Sequence, residues 1–182
     1  TDGTTRATAL AYQDGILVKS GDSTRRYLGT FYTTSTTQTE DSVANRYLWN
    51  YYNRVARPMS AVDITDNWTY TTATWREARA TTTNRLNFVI GYAEDVIAVD
   101  AMNVASNSTV GPTIHCGIGL DSTSALVAGS IVSYVPSAVA NQAYTMKAEY
   151  KGVPAAGKHY AARLERSSAA GTTTWYGDGD GT

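Results

Sequence analysis

Short apolar or alternating runs, broken every few residues by Gly, Asp, Asn, Ser or Pro, run the whole length of the chain. That pattern belongs to strands rather than helices, because side chains on a strand alternate faces with period two. Residues 7–12 and 16–19 flank Asp14-Gly15, a dipeptide suited to the two-residue hairpin turn with positive φ at both positions. Ser20-Gly21-Asp22 marks another turn, residues 26–33 read as the third strand, and residues 35–41 form a polar, Thr-rich loop. Beyond Pro58, residues 67–72 and 74–79 read as a pair of strands carrying Trp68, Tyr70 and Trp75. Further strands are predicted at residues 86–92, 96–105, 113–120, 127–135, 144–150 and 159–166, with Trp175-Tyr176 as a last edge strand.

Residues 42–55 admit two readings. Val43, Tyr47, Leu48, Tyr51, Tyr52 and Val55 can form a helical stripe, with Asp41 or Ser42 as N-cap. As a strand, the same segment puts Tyr47, Trp49, Tyr51 and Val55 on one face and Leu48 and Tyr52 on the other. The concentration of aromatics and the β-rich surroundings favour the strand. The expected architecture is all-β: one antiparallel, jelly-roll-like β-sandwich of about ten to twelve short strands over residues 1–182, read as a piece of a longer chain.

Composition narrows the function classes. Charged residues are 17% of the 182, and Tyr (13) far outnumbers Phe (2). Tyr suits positions with one apolar and one wet edge. The net charge is −1 and no like-charge run occurs, which speaks against a nucleic-acid footprint. No apolar stretch approaches the roughly 18 residues of a membrane-spanning helix. Cys116 is the single cysteine, so an internal disulfide is excluded.

Chemistry-bearing patterns are sparse. His115 and Cys116 are adjacent, and on a strand they point to opposite faces, so they cannot act as base and nucleophile. Glu77, Glu94, Asp95, Asp100, Asp121 and Glu149 offer carboxylates, with no spacing that singles out an acid/base pair. Asp178-Gly179-Asp180-Gly181 resembles a fragment of a calcium loop without its closing Glu, and reads as a tail. Gly117-Ile118-Gly119 lacks the remaining residues of a phosphate loop. Asn67-Trp68-Thr69 and Asn107-Ser108-Thr109 match the glycosylation pattern as expected by chance in a Thr-rich chain. No catalytic residue, cofactor or metal ligand is therefore assigned. The candidates for interface or receptor contact are Tyr47, Trp49, Tyr51, Tyr52, Arg54, Trp68, Tyr70 and Trp75, since Tyr, Trp and Arg dominate recognition surfaces.

Several strings resemble a family found in tailed-bacteriophage genomes. They are Asp14-Gly15-Ile16-Leu17-Val18-Lys19-Ser20-Gly21, Arg25-Arg26-Tyr27-Leu28-Gly29-Thr30, and Gln38-Thr39-Glu40-Asp41-Ser42 leading to Trp49-Asn50-Tyr51-Tyr52-Asn53-Arg54. Phe88-Val89-Ile90-Gly91 before Glu94-Asp95, and Thr172-Thr173-Thr174-Trp175-Tyr176-Gly177-Asp178, complete the set. The resemblance implies the distal β-rich module of a virion structural protein, in a tail fibre, tail spike or head-associated position, with no enzymatic role. Its expected partners are other virion proteins, further copies of itself in a trimer, and a host-surface glycan or protein, without nucleic acid or membrane insertion. Three functional readings follow: a receptor-binding appendage in the virion, a capsid-decoration or head-fibre subunit, and a carbohydrate-active depolymerase using Glu77 or Asp95. For the first, residues 35–41, 80–83 and 103–112 are the loops expected to carry recognition.

Overall fold

The computed structural model describes residues 8–177, and these are strands joined by turns, with two short 3₁₀ turns at Ala78–Ala80 and Thr82–Asn84 as their helical content. The strands are β1 (Leu10–Gln13), β2 (Ile16–Lys19), β3 (Asp22–Arg26), β4 (Gly29–Phe31), β5 (Asn45–Arg46), β6 (Leu48–Asn50), β7 (Asn67–Thr69) and β8 (Arg76–Glu77). They continue as β9 (Arg85–Ile90), β10 (Ile97–Asn107), β11 (Thr113–Leu120), β12 (Ser133–Pro136), β13 (Tyr144–Gly152), β14 (Gly157–Ser167) and β15 (Thr173–Tyr176). The all-β class and antiparallel sheets expected from the sequence are present, and β5 with β9 forms a parallel pair. Contacts gather the chain into two compact units. The first holds residues up to Ser60 with Asn87–Asp95 and Val153–His159; the second holds Ala61–Leu86, Val96–Gly152 and the chain from Tyr160 onward.

In the first unit, β1, β2 and β3 form an antiparallel meander. Asp14 (φ 49) and Gly15 (φ 77) make the predicted hairpin turn. Residues 26–33 do not form one strand. The chain divides them between β3 and β4, because Tyr27 turns inward as a buried core side chain while β4 pairs with β6. The Gly29 backbone comes so close to Trp49 that a Cβ there would lie 2.3 Å from the Trp49 carbonyl oxygen. Residues 42–55 contain β5 and β6 and no helix, with Tyr47 and Trp49 buried, Tyr51 half-buried, and Leu48 and Tyr52 outward. Val55 departs from that alternation and is exposed, since strand pairing ends at Asn50. Arg46 donates to the Pro58 carbonyl and Arg57 to that of Leu48, which ties the irregular segment after β6 to the strands. Leu17, Tyr27, Tyr47, Trp49 and Val89 form the core.

The second unit is a two-layer sandwich. One sheet runs β13-β10-β15-β7; the other runs β12-β11-β14, with β8 paired to β14. Ala101 and Ala105 of β10, Met146 and Ala148 of β13 and Trp175 of β15 face Ile114, Cys116 and Ile118 of β11. Ala101, Ala105, Ala148 and Cys116 leave room among the larger side chains for one fully buried indole, Trp175. The predicted alternation of β13 holds: Met146 and Ala148 are buried, with Thr145, Lys147 and Glu149 outward.

Four further expectations are corrected. Trp175 is interior to its sheet, because β15 is flanked by β10 and β7. Residues 67–72 and 74–79 do not pair with each other: β7 joins β15 and β8 joins β14, since Trp68 lies opposite Trp175 while Trp75 covers Gly117. Residues 127–135 are a strand only at β12; the Val127–Ser130 backbone bond and the positive φ of Gly129 curl the chain before it. β10 continues to Asn107, which leaves only 108–112 of the expected 103–112 loop, because Asn107 is fully buried and hydrogen-bonded to Thr173 and to the Ala170 carbonyl.

Gly91 is where the first unit is most sensitive to one added carbon. A Cβ would meet the Trp49 ring at 2.1 Å and the Tyr27 hydroxyl at 2.6 Å. Gly91→Ala is expected to destabilise by about 2 kcal/mol, or roughly 5 °C in Tm. An unchanged melting curve contradicts this packing.

Candidate aromatic recognition surface

The eight candidate residues separate into two sets. Tyr47, Trp49, Tyr51, Tyr52 and Arg54 lie in the first unit, and Trp68, Tyr70 and Trp75 lie in the second. Tyr47 and Trp49 are core side chains rather than contact residues, because the strand alternation that exposes Leu48 and Asn50 turns both inward.

In the first unit, Trp49 is the hinge of the arrangement. Its ring is stacked on Tyr27 with centroids 6.1 Å apart, and its Nε1 donates to Asp95 Oδ2 at 2.7 Å. Arg54 donates through Nε to Asp95 Oδ1 at 2.8 Å and through Nη1 to Glu94 Oε2 at 2.8 Å. The guanidinium lies over the rings of Trp49 (5.6 Å) and Tyr51 (5.9 Å). Hydrogen bonds to Asp95 and Glu94 push the Arg54 pKa upward, so its charge is held in place. From Tyr51 the aromatics continue outward, with Tyr52 edge-on at 5.2 Å and Tyr92 edge-on at 6.4 Å. Tyr12 stands edge-on to Tyr92 at 6.2 Å, and its hydroxyl lies 3.5 Å from that of Tyr51. Hydrogen bonding with Tyr51 and then Tyr92 raises the Tyr12 pKa. Tyr12 is 53% exposed and Tyr52 55%, and the Arg26 guanidinium covers the Tyr52 ring at 5.9 Å.

Beside this cluster opens a shallow cleft of about 550 Å³ lined by Leu10, Tyr92, Ala93, Glu94 and Ala156. Sequence reasoning did not single out Tyr12, Tyr92, Leu10 or Ala156. Tyr12 and Tyr92 are separated by most of the first unit's chain, and no local spacing brings them to Tyr51. Glu94 stands in the sequence as one carboxylate among several and in the string ending Glu94-Asp95, with nothing that ties it to Leu10 or Ala156.

In the second unit, the three remaining candidates pack on the sandwich. Trp68 donates from Nε1 to Glu165 Oε2 at 2.8 Å, Tyr70 donates to the Thr74 carbonyl under the Arg76 guanidinium (3.7 Å), and Trp75 is edge-on to His115 at 5.9 Å. Arg166 Nη1 approaches His115 Nε2 at 3.1 Å. An Arg can only donate, so Nε2 is the acceptor of a neutral imidazole. Burial, and then the charge of Arg166, lowers the His115 pKa accordingly.

Among the described residues of this unit three carboxylates are buried, and each is matched by an Arg. Glu165 accepts from Arg76 Nε at 2.7 Å as well as from Trp68; Glu77 accepts two bonds from Arg85; Asp63 accepts from Arg79, Asn84 and the Thr65 amide. Burial pushes the Glu165 pKa up, against the pull of Trp68 and Arg76. At Asp63 burial also pushes upward, and the hydrogen bonds outweigh it, bringing the carboxyl down to about 2. Of the two carboxylates considered for hydrolysis, Glu77 is thus engaged by Arg85, and Asp95 by Arg54 and Trp49. Cys116 is fully buried, with its thiol directed at the Ala101 carbonyl (3.5 Å), and burial pushes its pKa up to about 12. Among the described residues no group of three or more His, Cys, Asp or Glu side chains converges on a possible metal position. Asp178-Gly179-Asp180-Gly181 lies outside the described residues.

Two outcomes follow. The Asp63 pKa is depressed on folding from about 3.8 to about 2, so its contribution is complete above pH 4 and is lost as pH falls through 2. Unfolding free energy is expected to drop by about 2 kcal/mol over that interval, and Asp63→Asn is expected to flatten the slope in denaturant titrations at each pH. Cys116 is expected to resist iodoacetamide at pH 8 in the folded chain and to react fully in guanidinium. Rapid labelling of the native protein contradicts its placement.

No protein-family model matches the chain, and comparisons with curated proteins and with solved structures find no match.

Proposed function

We propose that the chain is a recognition module of a tailed-bacteriophage virion, carried on a tail fibre, tail spike or other receptor-binding appendage and working without catalysis. The observation that carries the recognition half is the aromatic surface of the first unit. Tyr12 and Tyr52 are more than half exposed, and the Arg54–Asp95–Trp49 network holds the rings behind them. Exposed rings backed by a rigid, hydrogen-bonded scaffold bind with little loss of side-chain entropy. The virion half is supported by the strings that resemble phage structural proteins. Assembly as a closed trimer, with neighbouring virion proteins as partners, belongs to the same proposal and follows from how such appendages are built.

The test is adsorption. Purified chain in excess, mixed with host cells before the phage that carries this protein, is expected to lower the adsorption rate about tenfold. Antibody against the chain is expected to label tails in electron micrographs. Labelling confined to heads, with adsorption unaffected, overturns the appendage reading in favour of a shell-bound role.

A further inference from the structure

The cleft beside the aromatic surface has a definite chemical character. We infer that it is a subsite for a neutral pyranose, with Tyr92 as the ring that stacks on the sugar and Glu94 as the acceptor for its hydroxyls. The inference rests on the recognition reading above and names the ligand class for that same surface.

The cleft, about 550 Å³ and shallow, is open to solvent and takes one face of a small ligand. Its lining has two parts. Leu10, Ala93, Ala156 and the Tyr92 ring are apolar, and Glu94 adds one carboxylate. Tyr12 supports the Tyr92 ring edge-on at 6.2 Å, with its hydroxyl 3.5 Å from that of Tyr51. The site therefore presents apolar surface beside a strong acceptor.

Charge decides among ligand classes. An anion such as phosphate meets Glu94, and the neighbouring cation, Arg54, is already bonded to Glu94 and Asp95. A small cation gains little, because Glu94 is solvent-exposed, where ion pairs are screened and weak, and it already shares Arg54 with Asp95. A purely apolar ligand strips water from the carboxylate with nothing to replace it. A pyranose fits all three constraints: its C–H face covers an aromatic ring, its hydroxyls donate to a carboxylate, and it carries no charge. With one ring and one carboxylate engaged, the affinity for a single sugar is on the order of 1 mM.

The probes are glucose, galactose and N-acetylglucosamine, observed by saturation-transfer NMR with the whole chain. Ala156→Trp fills the cleft from an exposed position, and Glu94→Gln keeps the shape while removing the charge; circular dichroism and melting confirm that each variant folds. Transfer to at least one sugar, abolished in Ala156→Trp and about tenfold weaker in Glu94→Gln, is the expected result. No transfer to any of the three, or transfer that survives Ala156→Trp, overturns the subsite. Loss in Ala156→Trp with no change in Glu94→Gln also overturns the sugar assignment, in favour of an apolar ligand. The adsorption experiment is independent. A chain that blocks adsorption but binds no sugar in the cleft keeps the recognition reading and loses the subsite; a chain that binds sugar without affecting adsorption does the reverse.

Discussion

The indole N–H of Trp49 must find an acceptor, because the ring around it is buried, and the acceptor it finds is Asp95. The rest of the first unit's surface depends on that bond. Asp95, fixed by Trp49, orients Arg54; Arg54 holds Glu94 and lies over Trp49 and Tyr51; Tyr51 carries the contacts to Tyr52 and Tyr92. Aromatic rings exposed at the rim are thereby continuous with aromatic rings in the core. A surface built this way stays rigid without many aliphatic side chains, which accounts for the preference for Tyr over Phe: the ring packs inward while the hydroxyl remains at the wet edge.

The second unit solves a different problem. Its interior sets Ala101, Ala105, Ala148 and Cys116 among Ile114, Ile118 and Met146, and Trp175 fills the space between them. Carboxylates are buried in it as well, and a buried carboxylate is tolerated only when its lone pairs are satisfied. The planar fork of Arg does this with two parallel donors, as Arg85 does for Glu77. The predominance of Arg over Lys is therefore a folding requirement here as much as a surface property. Asn107 follows the same rule with a neutral group: its amide donates to Thr173 and Ala170, and its oxygen accepts from Thr109. Sealed in this way, it is inaccessible as a glycosylation acceptor in the folded chain.

What the sequence determined by itself is whatever depends on neighbours in the chain. Period-two alternation made residues 144–150 and the aromatic stretch around Tyr47 readable as strands, and Asp14-Gly15 specified its own turn because only local φ values are at stake. Adjacency placed His115 and Cys116 on opposite faces, and the structure has one on the outer side and the other sealed in the core. What only the tertiary structure decided is pairing at a distance. Trp175-Tyr176, at the end of the described chain, looks like an edge yet lies between β10 and β7, because register depends on partners far away in sequence. Alternation put Trp49 and Tyr52 on opposite faces, but which face became core was set by the residues that cover it, Leu17, Tyr27 and Val89. Leu10, the turn from Tyr92 to Glu94, and Ala156 share one cleft through folding alone: they lie in three separate segments, and no periodicity connects segments that only packing brings together.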